Sequence, residues 1–193
     1  LDGDLGMSNI DVMFGARAKS NIYNLVTGEK DVHQIVTNIA DNVDLIAGGS
    51  GIYELQHLDV YQKRSLIDQV DELAGEYDFM LIDTAPGIAD NVLYLNSSAD
   101  EIMVVLTPDP SSLTDSYALI KVLNQRYKVS DFSVICNFVK DEKEALNGFN
   151  RVSEVASEYL NVRLKYKGFV PMDLNLRKAT KSQQLILNSN PRC

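Results

Sequence analysis

The sequence contains no tryptophan, only two cysteines, and no apolar stretch that approaches a membrane span, which takes about 18 or more residues. The cysteines, Cys136 and Cys193, have no partner at the spacing of a metal site. Cys136 lies in an apolar run and is predicted to be a buried, reduced thiol. This cysteine usage favours a protein of the reducing cytoplasm.

Positive charge is also scarce. The chain has 18 Lys and Arg against 27 Asp and Glu, a formal net charge of −9 and a pI of about 4.7. A protein that coats nucleic acid needs a dense face of Lys and Arg to neutralise phosphates. The charge balance therefore excludes that class, and we expect no direct nucleic-acid partner.

The apolar residues that are present alternate between strand-like runs and helix-spaced stretches. Runs that are apolar on both faces predict five strands, at Val43–Ala47, Phe79–Ile82, Ile102–Leu106, Phe132–Val139 and Lys167–Val170. Periodic spacing predicts helices over Leu66–Ala74, from near Thr114, over Ala145–Tyr159 and over Leu176–Leu187. The pattern predicts an α/β fold, a mainly parallel sheet with helices on both faces, in a single domain over residues 1–193.

The most informative motif follows the second predicted strand. Four apolar residues lead to Asp83, in the string D-T-A-P-G that ends at Gly87. A carboxylate at a strand tip can hold Mg²⁺, directly or through water. Gly87 can bring a backbone N–H close to a phosphate because it has no side chain. The alternative is a strand followed by an acidic turn.

A second acidic motif opens the chain. Asp2 and Asp4 are separated by a single residue in D-G-D-L-G, and we expect two carboxylates at a strand end to serve different roles. One carboxylate can organise a phosphate loop, and the other can position an attacking water. An Asx-rich turn without a ligand is the alternative.

Two further candidates follow later strands. Asn137 lies near the end of the predicted Phe132–Val139 strand, where its amide could face the edge of an adenine. Pro171 and Asp173 follow the last predicted strand in the string V-P-M-D. Ligands of such folds lie outside the carboxyl ends of the strands, which is where all these residues fall.

Together these strings resemble the MinD/ParA family of deviant-Walker-A ATPases, and within it the FlhG (FleN) branch. The resembling strings are D-G-D-L-G-M-S-N-I-D-V-M-F-G, L-I-D-T-A-P-G-I, T-P-D-P-S-S-L-T-D-S-Y-A-L-I-K and V-P-M-D. The resemblance covers nearly the whole chain in the family's order. It implies a P-loop NTPase fold of the SIMIBI, MinD-like type.

The resemblance also implies roles for individual residues. Asp4 would be the switch I carboxylate that positions the hydrolytic water, with Asp2 as its neighbour near the phosphate loop. Asp83 would hold Mg²⁺ through water, and Gly87 would lie near the γ-phosphate. The residues around adenine would be Asn137, Pro171 and Asp173.

A function follows from the same resemblance. It implies an ATP-dependent dimerisation switch that regulates flagellar number and placement, with ATP and Mg²⁺ as cofactors. The implied partners are a second copy of the chain, the GTPase FlhF, flagellar regulators or basal-body proteins, and a membrane surface at the cytoplasmic side. Two alternatives are a MinD- or ParA-type positioning ATPase for septum or cargo, and a non-catalytic interaction module that retains the fold.

One part of the family pattern is missing. The phosphate loop G-K-G-G-V-G-K-[ST] occurs nowhere in the 193 residues, and the glycines at 48, 49 and 51 lack a following Lys-Ser/Thr. The chain also starts at Leu1 without Met, so we expect a fragment that lacks the first strand and this loop. The loop's amides form most of the phosphate cradle, so we expect the chain as it stands to bind ATP poorly and not to hydrolyse it.

Overall fold

The structure is a computed structural model that describes residues 1–186. The strands are β1 (Asp2–Gly3), β2 (Val36–Ala40), β3 (Val43–Ile46), β4 (Asp83–Thr84), β5 (Met103–Leu106), β6 (Asp131–Val139) and β7 (Arg163–Pro171). The helices are α1 (Ile10–Met13), α2 (Ile22–Val26), α3 (Val32–Ile35), α4 (Val60–Asp71), α5 (Asp90–Ser98), α6 (Pro110–Tyr127), α7 (Glu142–Tyr159) and α8 (Leu174–Lys181), with a 3₁₀ turn at Tyr53–His57.

The chain divides into two compact units by its internal contacts. Within the described residues, the first contains residues 1–86, 90–95 and 175–186, and the second contains residues 87–89 and 96–174. The prediction of a single domain over 1–193 stays a prediction. No helix within residues 1–186 is both long and apolar enough to span a bilayer.

The first unit is built around an apolar core supplied by its short helices. Three of these helices begin at capping boxes, in which a side chain and the residue three positions later satisfy each other's backbone N–H: Asn21 with Asn24, Asp31 with Gln34, and Asp59 with Gln62. The buried core residues are Leu5, Ile22, Leu25, Val32, Ile35, Ile46, Leu55, Leu58, Leu66, Val70 and Leu73. Leu66 and Val70 confirm the helical stripe predicted for α4, and Leu73 is buried just after that helix ends.

The strands of the first unit form two separate pairs. β1 and β4 are parallel, with Asp2 opposite Asp83 and Gly3 opposite Thr84. β2 and β3 are antiparallel and joined by a tight turn in which Asn42 has a φ of 58°. The predicted strand at Val43–Ala47 is thus confirmed as β3, whereas its hairpin partner β2 is an addition to the predicted sheet.

The second unit is a parallel three-stranded sheet with two long helices. β5 pairs with β6, and β6 pairs with β7. Helix α6 contacts α7 and β5, and α7 contacts β6 and β7. The α7 stripe predicted from spacing is buried at Ala145, Val152 and Ala156, and Cys136 is a buried free thiol, as predicted. Three of the four strand pairs in the described chain are parallel, which confirms the predicted α/β class.

The predicted start of one helix was wrong. Helix α6 begins at Pro110 rather than near Thr114, because proline is well suited to the first helical position, where its missing N–H costs nothing. The Ser112 hydroxyl, in the first turn of α6, accepts a hydrogen bond from the Thr107 N–H at 2.9 Å. The closing helix is α8 and ends at Lys181; the predicted end at Leu187, like Cys193, lies outside the described residues.

The prediction of a buried strand over Phe79–Ile82 was also wrong. Phe79 is 87% exposed and Leu81 is 83% exposed, and the paired strand β4 is limited to Asp83–Thr84. The apolar run suggested cover on both faces, but β1 is the one strand that pairs with this segment within residues 1–186. Alternate residues of an extended segment share a face, so Phe79 and Leu81 are exposed together.

The contrast between exposed and buried leucines gives a direct test of this finding. We expect Leu55→Ala, at a fully buried core position, to lower the free energy of unfolding by about 2–5 kcal/mol. Leu81→Ala should lower it by less than about 0.5 kcal/mol, because it removes exposed surface. Urea unfolding of the 193-residue chain measures both. An equal loss for the two variants would show that Leu81 is buried and would contradict the structure.

Candidate carboxylate site

The register of the β1–β4 pair brings the two acidic motifs together. Asp2 lies opposite Asp83, and the Asp83 N–H donates to the Leu1 carbonyl at 3.0 Å. Asp4 follows one residue after the end of β1. Because the two strands are parallel and in this register, their equivalent residues lie side by side. Asp2, Asp4 and Asp83 therefore lie together at one edge of this strand pair. Asp2 and Asp83 are 81 residues apart in sequence.

Asp2 is a buried carboxylate whose two oxygens are both engaged. Its Oδ2 accepts hydrogen bonds from the Ser8 hydroxyl at 2.6 Å and from the backbone N–H groups of Asn9 at 3.0 Å and Ile10 at 3.1 Å. Its Oδ1 accepts from the Asp4 N–H at 3.2 Å. These bonds satisfy N–H groups at the start of α1 and fix the loop that carries Asp4.

Asp4 differs from Asp2 in its surroundings, because it lies beyond the end of β1. It is partly exposed, and its carboxylate makes no hydrogen bond or ion pair with any residue in the described range 1–186. Partial burial raises the pKa of the Asp4 carboxyl above its ordinary value, and the negative charge of Asp2 raises it further. The Asp4 carboxylate is thus the member of the pair that is available to a water or a ligand.

Asp83 is the third carboxylate and is exposed at the tip of β4. Desolvation raises the pKa of its carboxyl, and the charges of Asp2 and Asp4 add to that increase. A bound cation would relieve this repulsion, and carboxylate oxygens are ligands that Mg²⁺ prefers. The residues present therefore fit the metal that the sequence predicts.

These side chains would supply only some of the ligands of the metal. Within residues 1–186, no group of three or more His, Cys, Asp or Glu side chains is placed to hold a metal ion by itself. Mg²⁺ sites of nucleotide enzymes commonly use one or two carboxylates together with waters and substrate phosphates. Asp83 matches that mode rather than an all-protein cage.

Sequence reasoning missed the residues that support these carboxylates. The Ser8 hydroxyl, besides donating to Asp2, accepts a hydrogen bond from the Gly48 N–H at 3.2 Å. A Cβ added to Gly48 would lie 2.6 Å from the Asp2 carbonyl oxygen, so only glycine fits there. The signal was the glycine-rich string after β3, but its spacing does not reveal which backbone it approaches.

Gly87 follows Asp83 by four residues and has a φ of +99°. This backbone conformation strongly favours glycine. A Cβ added at Gly87 would have no neighbour within 4 Å, so the residue is dictated by the backbone turn and not by crowding. The geometry is compatible with a backbone that approaches a ligand closely, and the phosphate role of Gly87 stays a prediction.

In the second unit, the structure places the predicted base-binding residues near one end of the sheet. Asn137 lies opposite Val170, and Val139 lies opposite Pro171. A bulge at Phe138, where φ is 56°, interrupts the pairing between Asn137 and Val139, and the Asn137 Oδ1 accepts from the Phe138 N–H at 2.9 Å. The adenine roles of these residues and of Asp173 stay predictions.

Comparison with known proteins shows to which family this chain belongs. A family model described as an AAA domain matches residues 5–134. The chain is 32% identical to the antiactivator FleN of Pseudomonas aeruginosa, over 100% of this chain and 69% of that protein. It is 30% identical to the flagellum site-determining protein YlxH of Helicobacter pylori, over 98% of this chain and 64% of that protein. Its fold matches the cell division ATPase MinD of Pyrococcus furiosus with a TM-score of 0.77 and 21% identity, over 100% of this chain and 77% of that one.

The chain belongs to the AAA domain family and, within it, to the MinD/ParA group of ATP-binding ATPases, close to FlhG/FleN. The likeness to MinD at 21% identity concerns the fold alone. These findings confirm the predicted family and fold class. The chain spans 64% of the length of YlxH and 69% of that of FleN.

The raised carboxyl pKa values predict a pH-dependent effect on stability. Asp4→Asn and Asp83→Asn should each raise the free energy of unfolding at pH 7, because the charged carboxylates are disfavoured in the folded chain. The folded-state pKa lies above the unfolded one, so the gain should shrink as the pH falls through the folded-state pKa. It should vanish below about pH 3.9, where both states are protonated.

Urea unfolding between pH 7 and pH 4 measures this gain. Asp41→Asn is the matched control, because Asp41 is an exposed aspartate in the turn between β2 and β3 of the same unit and its replacement should leave stability nearly unchanged. A gain that is the same at pH 7 and pH 4, or a loss of stability at pH 7, would contradict the electrostatic origin.

Proposed function

We propose that the complete protein is an ATP-dependent dimerisation switch of the FlhG/FleN type, which hydrolyses ATP with Mg²⁺. The observation that carries this proposal is the parallel register of Asp2 with Asp83, with Asp4 directly after β1. It gives one fixed carboxylate, one free carboxylate and one exposed strand-tip carboxylate at a single edge. Water positioning and metal binding in phosphoryl transfer need such groups close together.

Each carboxylate has a distinct role in the proposal. Asp4 positions the attacking water, since its oxygens are free within the described residues, and its raised pKa increases its affinity for a proton. Asp2 holds the Asp4 loop in place through its own hydrogen bonds. Asp83 holds Mg²⁺ through water. When bound, the metal would neutralise charge on the phosphates.

The remaining predicted residues would contact the nucleotide. Gly87 presents its backbone N–H to the terminal phosphate, which its positive φ supports. Asn137, Pro171 and Asp173 bind the adenine, which the placement of Asn137 and Pro171 near one end of the β6–β7 pair supports. Phosphate contacts from the family's loop complete the site in the full protein.

The biological role comes from the relatives. One is named an antiactivator and another a flagellum site-determining protein. We propose that the complete protein regulates flagellar number and placement, as a homodimer formed on ATP binding. The proposed partners are the GTPase FlhF and flagellar regulators or basal-body proteins. The proposed location is the cytoplasm, with peripheral association at the inner membrane.

A non-catalytic interaction module is the second candidate function. The observation that favours it is the absence of the string G-K-G-G-x-G-K-[ST] from the 193 residues. A module of this kind would keep the fold and the partner surfaces without turning over ATP. Hydrolysis by the complete protein distinguishes the two candidates.

The role of Asp4 is tested by Asp4→Ala in the complete protein. We expect ATP hydrolysis, measured as phosphate release, to fall by about 100-fold or more, because water positioning and proton transfer contribute at least that much. The Kd for Mg-ATP, measured by calorimetry, should change by less than about threefold, since Asp4 acts on the water rather than on the bound nucleotide.

Asp41→Ala is the control, because it removes an exposed aspartate of the same unit; its turnover should equal that of the unaltered protein. Retained turnover in Asp4→Ala would refute the role of Asp4. An unaltered complete protein that binds a partner but releases no phosphate would favour the non-catalytic module.

The contribution of the missing loop gives a separate prediction. The 193-residue chain should bind Mg-ATP at least about 100-fold more weakly than the complete protein, since two lost hydrogen bonds to charged phosphate oxygens at about 1.5 kcal/mol each give that factor. Calorimetry on both chains makes the comparison. Micromolar affinity in the 193-residue chain would show that the residues described above bind the nucleotide without the loop.

A further inference from the structure

A pocket of about 270 Å³ in the first unit is lined by basic and neutral hydrogen-bond donors. Its polar lining residues are Arg17, Lys19, Ser20, Lys30, Gln34 and Thr37. None of the residues that line it is acidic. Its volume is just below the roughly 300–1,000 Å³ of pockets for drug-sized ligands, so it suits a small group.

The three cations of this pocket lack acidic partners. Arg17 and Lys19 form no ion pair within residues 1–186, and the Lys30 ammonium donates to the Ser20 hydroxyl at 2.5 Å. By contrast, Lys165 pairs with Asp131 at 3.1 Å on β7. Three clustered positive charges without a carboxylate create a local field that attracts an anion.

The neutral lining groups complete a set of donors. Ser20 is buried, with 5% of its surface exposed, and Lys30 holds its oxygen, which leaves the hydroxyl hydrogen free to point elsewhere. The Gln34 Oε1 accepts from the Asp31 N–H at 3.2 Å, so its amide NH₂ is the part that can donate to a ligand. Thr37 adds a second hydroxyl. An acceptor with several oxygens matches this set.

The pocket rests on ordered backbone rather than on a loose surface. Asn21, next to Ser20, caps α2, and the Ile22 N–H donates to the Ala47 carbonyl at 2.9 Å. The Lys30 N–H donates to the Asn24 carbonyl at 3.1 Å. Ser20 and Lys30 are therefore positioned before a ligand arrives, which lowers the entropy cost of binding.

We propose that this pocket binds a phosphate group, either as free phosphate or a small phosphomonoester, or as the headgroup of an anionic phospholipid. A phosphate dianion accepts several charge-assisted hydrogen bonds, and Arg and Lys are its usual ligands. The site shares no residue with the Asp2, Asp4 and Asp83 cluster, whose negative charge repels a free anion. It is a second anion site, separate from the proposed nucleotide function.

The test uses the full-length protein that carries this chain, with Mg-ADP in excess. Inorganic phosphate is titrated at constant ionic strength, and amide chemical shifts of Ser20, Lys30 and Thr37 are followed by NMR. We expect saturable shifts. Arg17→Gln and Lys30→Gln should each weaken binding by roughly three- to tenfold, since each removes a charge-assisted contact. Lys121→Gln, an exposed lysine on α6, is the charge-matched control and should bind as the unaltered protein does.

A second arm tests the lipid source by co-sedimentation with phosphatidylglycerol vesicles, with phosphatidylcholine vesicles as reference. Loss of vesicle binding in Arg17→Gln but not in Lys121→Gln, without saturable phosphate binding, assigns the site to a lipid headgroup. Saturable phosphate binding assigns it to a free phosphate compound. Arg17→Gln keeps the test decisive if Lys30→Gln unfolds, since Arg17 is exposed. If both probes bind equally to Arg17→Gln and Lys121→Gln, or neither probe binds, the proposal is overturned.

Discussion

The carboxylate of Asp2 and its hydrogen bonds organise the acidic site of the first unit. Asp2 lies in β1 and is buried, so its charge must be matched by donors, because a buried charge without partners is costly. Those donors come from the next turn of chain, at Ser8, Asn9 and Ile10. The same Ser8 hydroxyl accepts from the Gly48 N–H. The buried carboxylate of Asp2 thereby connects β1 with the start of α1 and, through Ser8, with the glycine-rich turn.

This arrangement has an electrostatic consequence for the two other aspartates. Because Asp2 is fixed and engaged, its negative charge cannot move away, and it raises the pKa of both Asp4 and Asp83 in addition to burial. The edge of the β1–β4 pair is thus a place where negative charge is concentrated, and the Leu1 ammonium group offsets only part of that charge at Asp83. A site of this kind favours a metal cation and disfavours a bare anion, so phosphate would approach it together with the metal.

Much of the fold and of the acidic site could be predicted from local sequence. The spacing of Leu66 and Val70 identified the buried face of α4, since helical periodicity is a property of neighbouring residues. The order of apolar runs predicted parallel pairing, and parallel pairing in turn placed Asp2 and Asp83 at one edge. These predictions succeeded because each depended on a period or on a rule of sheet geometry.

The predictions that failed share a different cause. The burial and the hydrogen bonds of a residue depend on the parts of the chain that pack against it, and these can be distant in sequence. Phe79 and Leu81 have the pattern of a buried strand but are exposed, because the run itself carries no information about cover. The Ser8 to Gly48 bond joins residues 40 positions apart, and no spacing rule relates them. Arg17 and Lys30 likewise share a pocket only after α2 has folded between them. Motifs therefore identify residues that can touch a ligand, whereas the residues that hold them in place become visible only in three dimensions.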